Sequence, residues 1–274
     1  MFKDRLISGI ILVALMIVTL YFGGFVSLFM IELISLIGIY ELMRVPKHWS
    51  KELMVITEVF TVLMYAFLGV GYTFRAYGFM YMFLMVVFMM ILMCFYVFRY
   101  PKYKLHDIML PFFAFFYVGV MLSFIYSVRF LTNGGAYVVL VFLAAWGNDT
   151  LAYCVGKLFG KHKMSPKLSP KKSIEGFVGG VVGAAILGVI YSFIFGKITG
   201  TLVDVKLITV FAVICGLGGA ISVVGDLAAS AIKRQFDIKD YGNLIPGHGG
   251  IMDRFDSIIM TAPIVYYLVT MFIN

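Results

Sequence analysis

The stretch Leu6–Met43, LISGIILVALMIVTLYFGGFVSLFMIELISLIGIYELM, decides the fold. It is apolar almost throughout. It is also too long for one membrane helix, since about 20 residues already cross ~30 Å of hydrocarbon. Gly23-Gly24 punctuates it, so the pattern predicts a tight hairpin of two spans, over about 6–22 and 25–43. Similar apolar runs follow over about 53–70, 77–98, 108–128, 136–156, 176–195, 207–229 and 252–272. The expectation is an all-α, polytopic membrane protein with about nine transmembrane helices. Composition agrees: of 274 residues, 62% are hydrophobic and 13% charged, whereas ordinary soluble domains carry about 25% charge.

Lys3 and Arg5 precede the first run, and no small-residue cleavage site follows, so a retained first helix is expected rather than a signal peptide. Cys94, Cys154 and Cys215 all fall in apolar segments, which offers neither a disulfide framework nor a CxxC metal site. A net charge of +8 would suggest nucleic acid in a soluble protein. Here Lys and Arg mark cytoplasmic loops facing anionic headgroups, and no nucleic-acid partner is expected. With the N-terminus in the cytoplasm, nine spans leave only Arg75, Arg129, Lys197 and Lys206 of the 22 Lys and Arg outside. The chain reads as an N-terminal transmembrane region, 1–131, with about five spans, followed by a catalytic transmembrane region, 132–274, with about four. The cytoplasmic loops of the second region are expected at 157–175 and 230–252.

Asp149, Asp226 and Asp256 lie within or at the edge of apolar spans, and Asp253 begins the last one. A carboxylate in hydrocarbon costs roughly 2.5–3.5 kcal/mol on insertion scales, so such groups face a protein interior and a partner. Asp253 and Asp256 share a helix face, as do Ser222, Asp226, Ser230 and Lys233, and as do Asp149 and Tyr153. Three helices would then bring carboxylates to one cytoplasm-facing pocket. Such a donor set suits Mg²⁺, which takes oxygen ligands and keeps places for water and phosphates. No Cys/His cluster suggests zinc. The plainer reading of each acid is an ion pair with a nearby base.

Two loops carry further chemistry. In Pro246-Gly247-His248-Gly249-Gly250 the glycines let backbone N–H groups approach an anion just before a helix start. His248 is fit either to bind phosphate or to move a proton. The plain alternative is a turn that returns the chain to the membrane. Ser169-Pro170-Lys171-Lys172-Ser173-Ile174-Glu175-Gly176 combines hydroxyls, ammonium groups and backbone donors at a helix start, which suits a triphosphate. Its plain alternative is a solvated basic loop. Glu32, Glu41 and Glu58 read as structural, and His48, His106 and His162 as loop residues without a role.

The order Ser230-x-x-Lys233-Arg234-x4-Lys239-Asp240-x5-Pro246-x-His248-Gly249-Gly250-x-x-Asp253-Arg254-x-Asp256 resembles the signature of phosphatidate cytidylyltransferases, also called CDP-diacylglycerol synthases. The segment Ser169–Gly176, with Ser173 where threonine is common, and Asn148-Asp149 look like further elements of that family. The resemblance covers about residues 140–260; the N-terminal spans match only as hydrophobic helices. It implies that CTP and phosphatidic acid give CDP-diacylglycerol and pyrophosphate with Mg²⁺, a second cation being an option. It also implies a multi-pass protein of the cell's inner (cytoplasmic) membrane, its active site facing the cytoplasm among membrane lipids, with a homodimer as one option.

Under that resemblance Asp226 and Asp253 are expected to bind the metal, with Asp149 and Asp256 beside them. Lys233, Arg234, Lys239 and Arg254 would neutralise phosphates, some on the lipid side. Ser169, Lys171, Lys172 and Ser173 would hold the nucleotide, and Ser230, Gly249 and Gly250 would line the substrate site. His248 would bind phosphate or assist the leaving group. The competing classes are an ion-coupled secondary transporter, which also uses intramembrane acids and glycine-rich spans, and another membrane transferase acting on a lipid phosphate.

Overall fold

The computed structural model describes residues 21–74, 77–244 and 249–273. The predicted first span lies outside them but for its last two residues. So do Lys3, Arg5, Arg75, Pro246, Gly247 and His248. Eight helices among the described residues are long and apolar enough to cross a membrane. We label them α1 (Gly24–Met43), α2 (Lys51–Phe74), α3 (Tyr77–Phe98), α4 (Leu105–Arg129), α5 (Gly134–Phe159), α6 (Ile174–Thr199), α7 (Val205–Gln235) and α8 (Met252–Phe272). The chain is an all-α, multi-pass membrane protein, as its apolar runs predict.

Local chemistry sets the helix starts. Ser50 Oγ accepts the Leu53 N–H at 3.3 Å, Ser173 Oγ the Gly176 N–H at 3.1 Å and Asp204 Oδ1 the Leu207 N–H at 2.8 Å. Each satisfies an amide that the first helical turn leaves without a partner. Two helices are not regular α throughout. In α4, Pro111 lacks the N–H that the ladder needs, and a π segment follows at Phe115–Val120. In α5 a π segment at Leu143–Gly147 immediately precedes Asn148 and Asp149.

Structure departs from expectation in two loops. The segment over 157–175 is not an open loop: β1 (Lys163–Ser165) and β2 (Ser169–Ser173) pair antiparallel, with Lys163 opposite Ser173. The predicted loop over 230–252 begins as helix, because α7 continues to Gln235. At 31 residues this helix is about 46 Å long, well beyond the ~30 Å hydrocarbon thickness. Its last turns carry the polar face of Asp226, Ser230 and Lys233.

The described residues form two compact units. One runs through Ser123 and takes in Asp240–Asp253; the other holds Phe124–Lys239 and the chain from Arg254. In the first, Phe88 is fully buried, with ring centroids 4.9 Å from Phe60 and 4.7 Å from Phe115. The buried Tyr65 hydroxyl donates to Gly119 O at 3.2 Å and lies 2.7 Å from Ser35 Oγ, which ties three helices with polar contacts. In the second, Phe195 packs at 5.0 Å on Tyr137 and at 5.1 Å on Phe211. Tyr191 donates to Ala136 O at 2.8 Å. Gly176, Gly179, Gly180 and Gly183 of α6 face α5: a Cβ at Gly180 would stand 2.6 Å from Asn148 Oδ1. Small residues let helices close together where lipid supplies no hydrophobic drive.

Candidate active site

Most of the expected site residues belong to the second unit, and Asp149, Lys172, Asp226, Ser230, Lys233 and Asp256 come together around α7. Spacing of four residues aligns Ser222, Asp226 and Ser230 on one face of that helix. Ser230 Oγ donates to Asp226 Oδ1 at 3.3 Å. Asp226 Oδ2 meets Lys172 Nζ at 2.5 Å, with both side chains largely withdrawn from solvent (29% and 23% exposed). The two form a close ion pair. Within β2, Pro170 and Lys171 are exposed, whereas Lys172 is half-buried and Ser173 buried.

The hairpin is held at its base. Glu175, in the first turn of α6, accepts the backbone N–H groups of Lys161 at 3.1 Å and His162 at 3.2 Å, and its Oε1 lies 2.6 Å from His162 Nδ1. Ser173, expected as a nucleotide contact, is buried, and its hydroxyl caps α6. Ser169 is half-buried, whereas Arg234 and Lys239 are exposed.

Two further acids join Asp226. Asp149 Oδ2 accepts the Ser257 hydroxyl at 3.1 Å, and Asp256 Oδ1 accepts the Ser257 N–H at 2.8 Å. Asp149, Asp226 and Asp256 lie within electrostatic reach of one another, with Lys172 and Lys233 in reach as cations. Beside them Asn148 is fully buried and donates to Ser222 Oγ at 3.1 Å. Interhelical hydrogen bonds of this kind average about 0.6 kcal/mol, with ~1.7 as an upper value. Sequence reading missed Ser257, which joins Asp149 to Asp256, and Glu175, which pins the hairpin. A serine beside Asp256 carries no signal of its own. The acid at the helix start carried one, as carboxylates favour that end.

The signature glycines and Asp253 belong to the first unit. Asp253 Oδ2 accepts the N–H of Tyr241 at 2.8 Å and of Gly250 at 3.0 Å. It therefore organises the turn that leads into α8. Glu41 of α1, read from sequence as structural, accepts the N–H of Ile251 at 3.1 Å and of Met252 at 2.9 Å. His248 lies outside the described residues.

A basic hairpin laid on a helix-borne carboxylate, beside two further acids, is an arrangement suited to phosphates. The model of the cytidylyltransferase family matches residues 3–272. The chain belongs to that family. Its similarity to the phosphatidate cytidylyltransferase of Bacillus subtilis (strain 168) is 29% identity over 271 residues, 98% of each chain. The phosphatidate cytidylyltransferase of Staphylococcus aureus (strain COL) is 32% identical over 152 residues, 56% of this chain and 55% of that one. That of Staphylococcus saprophyticus is 31% identical over a stretch of the same length. Membership extends the resemblance read from residues 140–260 to nearly the whole chain, N-terminal spans included.

Proposed function

We propose that this chain transfers the CMP moiety of CTP to phosphatidic acid, giving CDP-diacylglycerol and pyrophosphate in phospholipid biosynthesis. The observation that carries the reading is the Lys172–Asp226 contact. It puts the lysine of a triphosphate-suited segment against the central carboxylate of an acid cluster. Family membership supplies the reaction class, and the names of the relatives supply the substrates.

An oxygen of the lipid phosphate attacks the α-phosphorus of CTP, a new P–O bond forms, and the bond to pyrophosphate breaks. The nucleophile is already anionic, so a strong base has little to do. The difficulty is mutual repulsion of two anionic reactants, and catalysis is mainly positioning and charge neutralisation. Lys172 turns from Asp226 to the nucleotide's phosphates. Lys171 and Ser169 add contacts from the same strand. Lys233, Arg234, Lys239 and Arg254 neutralise phosphate charge, and Ser230 holds the Asp226 carboxylate in orientation. For Gly249, Gly250, His248 and Asp253 the support is the sequence signature alone.

Mg²⁺ fits the chemistry of the donor set. Asp149, Asp226 and Asp256 offer only hard oxygen ligands, supported by the hydroxyls of Ser230 and Ser257 and by the Ser257 N–H. Among the described residues no three acid, His or Cys side chains form a metal cage. Mg²⁺ usually relies on one or two carboxylates completed by water and substrate phosphates. Asp226, with Asp149 and Asp256 beside it, would hold the ion, which supplies charge neutralisation at the phosphates when bound. The excess of Lys and Arg in the expected inner loops supports a cytoplasmic-membrane enzyme working from the cytoplasmic face.

The test is incorporation of labelled CTP into lipid by the purified chain supplied with phosphatidic acid. A CDP-lipid forms with the native chain, and the Asp226→Asn variant loses at least about 100-fold, the order of a lost electrostatic stabiliser. Near-native turnover by that variant overturns the site assignment. Absence of any CDP-lipid from intact native protein favours a carrier or a different lipid-phosphate transferase.

A further inference from the structure

Glu41 is the buried carboxylate that this mechanism leaves unused. It lies in the last turn of α1 and is 6% exposed. Among the described residues no Lys, Arg or His pairs with it; its partners are the amides of Ile251 and Met252, 210 and 211 residues along the chain. Those amides open α8, where the helix leaves N–H groups without intrahelical acceptors and where its dipole favours a negative charge. The carboxylate uses both oxygens, Oε1 for Ile251 and Oε2 for Met252.

The loop is built around it. A Cβ at Gly250 would collide with both Glu41 oxygens, and one at Gly242 would stand 2.5 Å from Oε1. The close approach explains why the second glycine of Gly249-Gly250 is glycine: the carboxylate occupies the space of its side chain. From the other side Asp253 takes the Gly250 and Tyr241 amides. Two carboxylates thus hold four backbone amides, those of Tyr241, Gly250, Ile251 and Met252, within one unit.

We propose that Glu41 is a positioning residue for the reaction, holding the Gly249–Asp253 loop at the start of α8 in its working geometry. It touches no substrate. It acts through the Ile251 and Met252 amides, and it gives the first described helix a part in the chemistry of the signature. This role rests on the cytidylyltransfer reading above.

Two measurements on the purified full chain in lipid nanodiscs test it together. Hydrogen exchange of the peptide covering 249–256 is compared between native, Glu41→Gln and Glu41→Ala, with the hairpin peptide 163–173 as internal reference. Exchange at the loop is expected to rise at least about tenfold in Glu41→Ala, with the hairpin unchanged. Glu41→Gln falls between, because its single carbonyl oxygen accepts while its amide N–H opposes the facing donor. In parallel, kcat is expected to fall at least about tenfold in Glu41→Ala and less in Glu41→Gln, with KM for CTP within about threefold of native. Unchanged loop exchange in both variants overturns the anchor, and native kcat in a variant with raised exchange overturns its role in positioning. If the native chain forms no CDP-lipid, the cytidylyltransfer reading fails while exchange still decides the anchor. If Glu41→Ala does not fold, Glu41→Gln, which keeps size and shape, decides by the same readouts.

Discussion

Lys172 faces a choice of partner. Its ammonium group lies 2.5 Å from Asp226, yet in the proposed reaction it serves phosphates. A buried charge stripped of its partner is costly, so its replacement is felt at both ends. Lys172→Met is expected to raise KM for CTP at least about tenfold, because a charge-assisted contact to phosphate is lost. Lys172→Arg keeps the charge but not the compact shape, and it should recover part of the loss. Steady-state kinetics with varied CTP check both. At this scale the sequence was informative wherever a polar residue interrupted an apolar run: Asp149, Asp226 and Asp256 stand out for that reason and do converge. Ser257 does not stand out, since serine is unremarkable in a helix. Glu41 stands out but points nowhere, because its amide partners are 210 and 211 residues away.

Helices were legible from hydropathy, and the start of α6 from the Ser169–Gly176 segment, whereas the caps Ser50 and Asp204 were not singled out. The hairpin Lys163–Ser173 was not, since a Lys- and Ser-rich stretch with Pro170 has neither strand composition nor alternation. The extension of α7 to Gln235 was legible only in part: Ser230 and Lys233 fall on the helix face of Asp226, yet hydropathy ends the span at about 229. Ser173 separates the two readings of its segment. As an N-cap, its replacement by alanine costs about 1 kcal/mol, so Ser173→Ala is expected to lower the melting temperature by a few degrees. Ser173→Asp keeps a capping oxygen, and the melting temperature stays near native. Its added negative charge at the nucleotide end raises KM for CTP at least about tenfold. Thermal melts in detergent beside CTP titrations check the pair.

The molecule gathers residues from distant parts of the sequence. Its first unit joins the chain through Ser123 to Asp240–Asp253, and its second joins Phe124–Lys239 to the chain from Arg254. A linear reading of spans cannot show this, because hydropathy is blind to which helices neighbour one another. Membrane crossing and family, by contrast, are properties of the whole chain and were readable in it. Dependence on a divalent ion also belongs to this scale. Excess chelator is expected to abolish CDP-lipid formation and added Mg²⁺ to restore it, as an oxygen-only donor set implies. Full turnover in chelator overturns the metal reading.

The π segment Leu143–Gly147 in α5 changes how the rest of that helix is to be counted. A wide turn takes up an extra residue, which shifts the angular phase of everything after it by up to about 100°. Residues on one stripe before Leu143 are no longer in line with those after Gly147. A single helical wheel drawn over Gly134–Phe159 therefore mixes two faces, and it misplaces Asn148 and Asp149 relative to Tyr137 and Val141. The helix is better read as two wheels, with the chemistry confined to the second.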